Sequence, residues 1–422
     1  MNGGELPPEV SAPLPAVADE SPYAVLRNRD FLLYLIGRFI ASLGAQMLIV
    51  AVGWELYERT HSALALGLVG LTNVVPMFLF TLPAGHFADN HDRKRIIVSM
   101  TALMGAASVG LTLCSWLRAP TILIYACLFI AGCARTFLWP ASSSFLPQLV
   151  SRRAFPRAVA WSTGSFQLSS VAGPAAGGAL IALTHQAGWV YALHAFSALV
   201  CLTLVGLVHY HRAEPPREPM TRASLAAGFK FVFSSRIIFG IITLDLFAVL
   251  LGGATALLPV YAKDILHAGP SGLGLLQAAL PVGSLICALV VAHRPLENAG
   301  RALLWSVAVF GLATIGFGFS TSFFFSLLML FLCGVTDNVS VLVRHTLVQL
   351  LTPDEKRGRV SAVNSLFIGT SNELGGFESG FVAHWFGPVF SVVSGGVGTI
   401  LVVLAVAWIW PEIRRYGRLD AE

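Results

Sequence analysis

Six ionisable residues stand inside otherwise apolar stretches: Arg38, Arg135, Asp245, Asp337, Arg344 and Glu373. Three are cationic and three anionic, so the set sums to zero and invites internal pairing. A charged side chain at the bilayer centre costs about 2.5–3.5 kcal/mol on insertion scales, so each should face a wet cavity or an opposite charge. For Asp245, Asp337 and Glu373 the chemistry on offer is proton carriage. Burial favours the neutral acid and a nearby guanidinium favours the carboxylate, so a changing Arg distance loads and releases a proton. The same residues could instead form static ion pairs that keep helices in register, and Glu373 could serve only to brace its own helix. Arg38 and Arg135 could attract an anionic cargo such as a catecholate. Opposite charges in a partly dry cavity could also hold two bundles together.

The composition supplies elements able to position such charges. The chain has 422 residues, 55% hydrophobic and 12% charged, with mean hydropathy +0.73. Soluble domains carry about 25% charged residues, so this surface should largely face lipid. A membrane-crossing helix needs about 20 apolar residues, and about twelve fit this length with loops to spare. The hydrophobic runs predict helices near 31–57, 63–85, 96–117, 120–147, 159–183, 189–210, 236–262, 271–292, 302–320, 322–351, 360–383 and 387–410. The expected fold class is an all-α membrane protein with these helices in two pseudo-symmetric six-helix bundles. The six charges then fall in segments one, four, seven, ten, ten and eleven.

The 27 Lys and Arg residues are unevenly placed. Of those outside the segments, all but Arg59, Arg118 and Lys263 lie on one side of the membrane, together with both termini. By the positive-inside rule that side is cytoplasmic. The net charge of +5 is therefore a topological signal, and no nucleic-acid partner is implied. Residues 1–26 combine Pro7, Pro8, Pro13, Pro15 and Pro22 with Glu5, Glu9, Asp19 and Glu20, and have no basic start or apolar run. They read as a disordered cytoplasmic tail, not as a cleavable signal. Residues 412–422 read as a second cytoplasmic tail. The cysteines Cys114, Cys127, Cys133, Cys201, Cys287 and Cys333 fall in apolar segments without metal-ligand spacing, so they read as packing residues.

Residues 212–235, with Pro215, Pro216 and Pro219, divide the segments six and six, giving an N-terminal bundle at 27–211 and a C-terminal bundle at 236–411. Leu225, Phe229, Val232 and Phe233 suit a helix lying at the cytoplasmic interface, and a flexible linker suits the composition equally. Two echoes support duplication. Gln148-Leu149-Val150-Ser151 returns as Gln349-Leu350-Leu351-Thr352 after 201 residues, and Leu66-Gly67-Leu68 returns as Leu273-Gly274-Leu275 after 207.

Between segments two and three the chain reads Gly-His-Phe-Ala-Asp-Asn-His-Asp-Arg-Lys-Arg from Gly85 to Arg95. This resembles the Gly-x-x-x-Asp-x-x-x-Arg-Lys signature of the major facilitator superfamily. Gly85 is expected to allow a tight exit from the membrane, and Asp89 to meet Arg93 or a neighbouring helix end, with Lys94 completing a cytoplasmic latch. In segment five, Gly173-Pro174 followed by Gly177-Gly178 is similar to the Gly-Pro-x-x-Gly-Gly motif of drug–proton antiporters in that superfamily. Small residues let helices approach and proline bends them, so the motif is expected to act in gating. The strings Ala51-Val52-Gly53-Trp54-Glu55-Leu56-Tyr57, Pro140-Ala141 and Asn372-Glu373-Leu374-Gly375 resemble the enterobactin-exporter branch. That likeness implies twelve helices, a central cavity lined by helices one, four, seven and ten, and outward movement of siderophores or other hydrophobic compounds. One departure stands: antiporters often carry Arg four residues before a Gly of helix four, where this chain has Leu128 before Gly132.

His194 reads as a hydrogen-bonded core histidine, and Glu55, Glu58 and His61 as solvated groups at the outer mouth. Phe323-Phe324-Phe325 and Trp189, Trp385, Trp408 and Trp410 suit lipid contact. The chain has no Walker phosphate loop, metal spacing or nucleophile elbow, so no cofactor is implied and an enzyme lacks candidate residues. The expected function is proton-coupled export of small amphiphilic molecules by a monomer in the cell inner membrane. An importer or uniporter of a nutrient or lysophospholipid, and a non-transporting sensor or scaffold, are the alternatives.

Overall fold

The computed structural model describes residues 21, 23–210, 230–293, 298–415 and 417, so most of the first tail and of the 212–235 linker lies outside the described residues. Within those bounds every regular element is helical. The first six long helices are α1 (Arg29–Thr60), α2 (Ala63–Asn90), α3 (Arg93–Trp116), α4 (Thr121–Leu149), α5 (Phe155–Thr184) and α6 (Gly188–Gly206). After the linker come α7 (Arg236–Leu251), α8 (Gly269–His293), α9 (Ala299–Gly318), α10 (Phe323–Leu350), α11 (Asp354–Phe386) and α12 (Pro388–Ile409). Eleven spans are long and apolar enough to cross a membrane. The remaining long helix, α11, is diluted by its charged first turns and by Glu373 and Glu378. The segments expected from hydropathy are therefore present, extended at their ends by polar residues that hydropathy ignores.

Short connections make sequential helices antiparallel. Asn28 caps α1, its Oδ1 accepting from the amides of Asp30 and Phe31 at 3.0 and 3.1 Å while its Nδ2 donates to the Leu149 carbonyl at the end of α4. Ahead of it, Val25 is buried with Phe31, Leu35 and Ala158, so this last part of the expected tail is packed. In the expected linker, residues 230–234 form a helical turn with Val232 buried against Ile238, Val348 and Val360.

Segment seven differs from the single helix expected. Gly252 and Gly253 interrupt it, and a 3-10 turn (Ala254–Leu257), a short helical turn with Pro259 (Leu258–Val260) and a π turn (Tyr261–Ile265) carry it onward. A Cβ at Gly253 would lie 2.7 Å from the Gly375 carbonyl carbon, so the break is also where α7 and α11 approach.

Helices α1–α6 pack on one another, as do α7–α12, and the two bundles meet chiefly along α2 with α11 and α5 with α8. The cores reveal how they meet. At the end bearing Arg59, Arg118 and Lys263, one apolar cluster runs through both bundles, from Val50, Leu56 and Tyr57 to Leu258, Tyr261 and Leu273. At the opposite, basic end each bundle keeps its own cluster: Tyr34, Ile97 and Phe145 in one, Ile241, Leu303 and Leu347 in the other. The bundles are thus joined at one end and separate at the other.

Candidate transport site

Above the shared core the bundles enclose a cavity of about 570 Å³. Its walls are mostly aliphatic, with polar groups from both sides: Gln46, Asn73, Arg135 and Ser170 from the first bundle, Thr255, Gln277 and Glu373 from the second. A mainly apolar chamber with a few convergent polar groups is the ordinary form of a small-molecule site.

Three of those side chains form a chain across the bundle interface. The Arg135 guanidinium on α4 donates to Asn73 Oδ1 on α2 at 2.8 Å, and Asn73 Nδ2 donates to Glu373 Oε2 on α11 at 3.3 Å. The amide orientation is fixed by its neighbours: its oxygen must accept from a guanidinium and its nitrogen must donate to a carboxylate. Gly132, one turn before Arg135, lets α4 lie close to α2; a Cβ there would sit 3.3 Å from Pro76 Cγ and 3.6 Å from Asn73 Oδ1. A second bond crosses the interface where Gln167 Nε2 of α5 donates to the Pro281 carbonyl of α8 at 2.9 Å.

The other ionisable residues fall elsewhere. Asp245 on α7 and Arg344 on α10 form a buried ion pair inside the second bundle, 8% and 3% exposed. Neither lines the cavity, nor does Asp337, which is half-buried on α10 and makes no ion pair among the described residues. Arg38, half-buried on α1, likewise makes no ion pair there and lies beside Tyr34 and Cys201 in its own bundle. Arg38, Asp245, Asp337 and Arg344 are not among the residues lining this cavity, and Asp245 and Arg344 are buried together within the second bundle. The one formal ion pair among the six lies within a bundle, and the opposite charges Arg135 and Glu373 face each other across the interface through Asn73.

The comparisons with known proteins decide the family. A family profile described as "Transmembrane secretion effector" matches residues 20–416. The chain belongs to the major facilitator superfamily. The enterobactin exporter of Citrobacter koseri is 30% identical over 396 residues, covering 92% of this chain and 93% of that protein. The enterobactin exporter of Shigella flexneri is 28% identical over 397 residues. Among solved structures, a POT family transporter in complex with 5-aminolevulinic acid superposes with a TM-score of 0.73 at 12% identity, covering 92% of this chain and 97% of that one. A bacterial homolog of the human lysosomal transporter Spinster, inward-facing and unoccupied, gives 0.70 at 15% identity. The chain is accordingly a multi-pass membrane transporter of small molecules, and not an enzyme.

The superfamily signature after α2 is built differently from expectation. Gly85 and Asp89 lie within α2, which runs to Asn90, so the turn into α3 is the two-residue link His91-Asp92. Asp89 is half-buried and makes no ion pair among the described residues. Asp92 takes the organising part: it caps α3 by accepting from the Arg95 amide at 3.2 Å and accepts the Tyr210 hydroxyl after α6. Burial pushes the Asp92 carboxyl up, but the Tyr210 hydroxyl and the amides of Arg95 and Lys94 outweigh it and hold the group below its ordinary value. Arg93 donates to the Ser144 carbonyl of α4 at 3.2 Å. Lys94 donates to the carbonyls of Gly206 and Val208 at 2.7 and 2.8 Å, a cation on the negative end of α6.

The segment-five motif sits where three helices converge. A Cβ at Gly173 would lie 2.5 Å from Gln46 Cβ, and one at Gly177 2.9 Å from Met47 Cα, both on α1. Gly178 faces α8, where its Cβ would lie 2.9 Å from Gly274 Cα, while Pro174 is buried and its carbonyl faces Gly274. The echoed glycine pair acquires a meaning: Gly274 meets Gly178 across one bundle contact, and Gly67 meets Gly380 across the other.

The end bearing Arg59 and Lys263 carries two contacts that sequence reasoning missed. The Tyr57 hydroxyl of α1 donates to the Asp264 carboxylate, and Lys263 Nζ stands 5.7 Å from the Trp54 ring centroid. Both residues ride on the π turn, whose extra residue per turn aims them at α1. Glu55, expected to be solvated, is 6% exposed and bound to Arg59 at 2.5 Å, which also donates to the carbonyls of Ala119 and Cys114. Arg59 thereby satisfies the carboxyl end of α3. His194 is buried with its Nδ1 2.6 Å from Ser108 Oγ, and it borders the cavity. Exposed Trp385 and Trp408 fit lipid contact.

Proposed function

We propose that this transporter exports small amphiphilic molecules, siderophore-like or drug-like, in exchange for protons by alternating access. The observation that carries the reading is the cavity, shut at one end by a core common to both bundles and flanked at the other by separate cores. The positive-inside rule assigns the basic end, and both termini, to the cytoplasm. The cavity is then approached from inside the cell, the side from which an exporter collects cargo. The relatives at 28–30% identity are enterobactin exporters, which supports export and a bacterial inner-membrane location.

In this reading the chain works as a monomer whose units 27–211 and 236–411 rock about the cavity, joined by the linker 212–235. Gly85, Asp89, Arg93 and Lys94 shape the cytoplasmic corner that tightens when the cavity opens outward. Gly173, Pro174, Gly177 and Gly178 let α5 slide on α1 and α8.

The test is transport by the full chain in proteoliposomes. With an imposed proton gradient, ethidium should move against its own gradient, and collapsing the proton gradient with nigericin should abolish the movement. Transport that is indifferent to the proton gradient would refute exchange, and movement of a nutrient in the opposite sense would refute export.

A further inference from the structure

Glu373 occupies a singular place on α11. One turn outward, a Cβ at Gly70 would collide with its backbone carbonyl, and beyond that Gly67 and Gly380 pack α2 against α11. Toward the cavity its carboxylate accepts from the Asn73 amide, which is held by Arg135. Glu373 therefore lines the cavity at a contact between the two bundles, with Gly369 against Met77 of α2 one turn further on. Separation of the outer halves must break the Asn73 bond, because Asn73 moves with one bundle and Glu373 with the other.

We propose that Glu373 is the carboxyl group that carries the exchanged proton, that Asn73 relays Arg135 to it across the interface, and that the exchanged cargo is cationic or neutral but not anionic. The proposal rests on the exporter reading above and narrows it. A guanidinium that reaches a carboxylate through one amide supports the ionised form, and withdrawal from that link removes the support. With the outer halves closed, as here, the proton leaves toward the cytoplasm. With them parted, Glu373 faces the outside without Asn73 and Arg135, and takes a proton up.

The sign of coupling then fixes the cargo. Exchange requires that cargo and proton disfavour one another, and this mutual effect is reciprocal. A cation, or a neutral hydrogen-bond donor, beside Glu373 stabilises the carboxylate and expels the proton. An anion on Arg135 removes the cation that keeps Glu373 ionised and so promotes proton uptake, which is co-transport. A polar amide between the two charges allows a cargo to reach Glu373 without first displacing Arg135. Other charges near Glu373 are accounted for: Asp245 of α7 is bound to Arg344, and Glu378 stands further out on α11, accepting from Ser379 Oγ at 3.4 Å.

The first experiment needs no cargo. In the full chain with its six cysteines replaced by alanine, spin labels go on Leu117→Cys and Thr321→Cys, exposed positions at the outer ends of opposite bundles. Their separation is then measured between about pH 8 and about pH 5, which spans the ordinary histidine range and reaches toward that of carboxyls. Acid should populate the longer distance, Glu373→Gln should remove the dependence and hold the longer distance throughout, and Glu373→Asp should restore it. Asn73→Leu should move the transition to higher pH, while Glu378→Gln should leave it in place. A pH response that survives Glu373→Gln, that is lost in Glu378→Gln instead, or that is absent from the parent chain overturns the assignment.

The second experiment reads proton release in weak buffer on adding ethidium or tetraphenylphosphonium as cations and 2,3-dihydroxybenzoate as the anion. Roughly one proton per bound cation is expected from the parent chain, and none from Glu373→Gln. Proton release by the anion, or none by either cation, overturns the cargo class. The two readings fail separately. Transport without a pH-dependent outer opening removes Glu373 as carrier and leaves an exporter. An intact pH response without transport of any probe removes the exporter and leaves a carboxyl-driven switch.

Discussion

Arg344 and Asp245 are almost wholly removed from solvent, and each is the other's only counter-charge among the described residues. Removing one partner strands a buried ion. Asp245→Ala should therefore lower stability by about 3–5 kcal/mol, whereas replacing both residues with apolar ones of like size, Asp245→Leu with Arg344→Met, should restore most of the loss. Thermal unfolding in detergent reads both. The pair thus has a structural part in this conformer, while the polar chain from Arg135 to Glu373 spans the interface. At the basic corner, Asp92 is held below its ordinary carboxyl value when folded. A depressed folded value means that its contribution to stability is present above the unfolded carboxyl range and is lost as pH falls through the folded value. Tyr210→Phe should diminish that acid-dependent component, seen as a smaller drop in melting temperature on acidification.

Among the elements, the bundle contacts are set by glycine. Gly178 faces Gly274 and Gly67 faces Gly380 with backbone nearly touching backbone, and any side chain there must push α5 from α8 or α2 from α11. Gly274→Val should destabilise the outer-closed state by about 1–3 kcal/mol, the usual cost of overpacking. Since about 1.4 kcal/mol is a tenfold change in population, the same outer-end spin labels should show a clear gain in the longer distance. A Val at exposed Ser271, one turn away, should not. The π turn ending segment seven works with these contacts. It presents Asp264 to Tyr57 and Lys263 to Trp54, so Tyr57→Phe should favour the same opening to a smaller degree, by about 0.5–1.5 kcal/mol for one hydrogen bond.

For the whole molecule, a shared core at one end and divided cores at the other make a clamp closed at the lightly charged end. The orientation proposed above predicts that cysteines placed at Arg93 and Lys356 react with an impermeant maleimide only from the cytoplasmic side, and one at Arg118 only from the outside. Finding Arg93 and Lys356 on opposite sides would refute the topology. Lys356 also stacks its ammonium over Phe231 at 5.0 Å, tying the start of α11 to the turn before α7 within the second bundle.

Hydropathy marked the long helices, α11 least clearly because its first turns are charged, since lipid demands an apolar span near 20 residues whatever the fold does afterward. Basic-residue asymmetry likewise marked one end, and the signature at Gly85–Arg95 and the paired strings pointed to the family. Pairing was a different matter. Nothing in the order of residues distinguishes Asp245, which meets Arg344 inside a bundle, from Glu373, which meets Asn73 across two. Asn73 itself left only the faint mark of a lone amide in an apolar run, and Glu55 looked solvated because a helix end reads as surface. Helix rotation and the approach of distant backbones settle which charges are wet, which are paired and which face a partner that moves. Those quantities depend on contacts between residues far apart in sequence, such as Asn73 with Glu373, 300 positions on, and so belong to the tertiary structure.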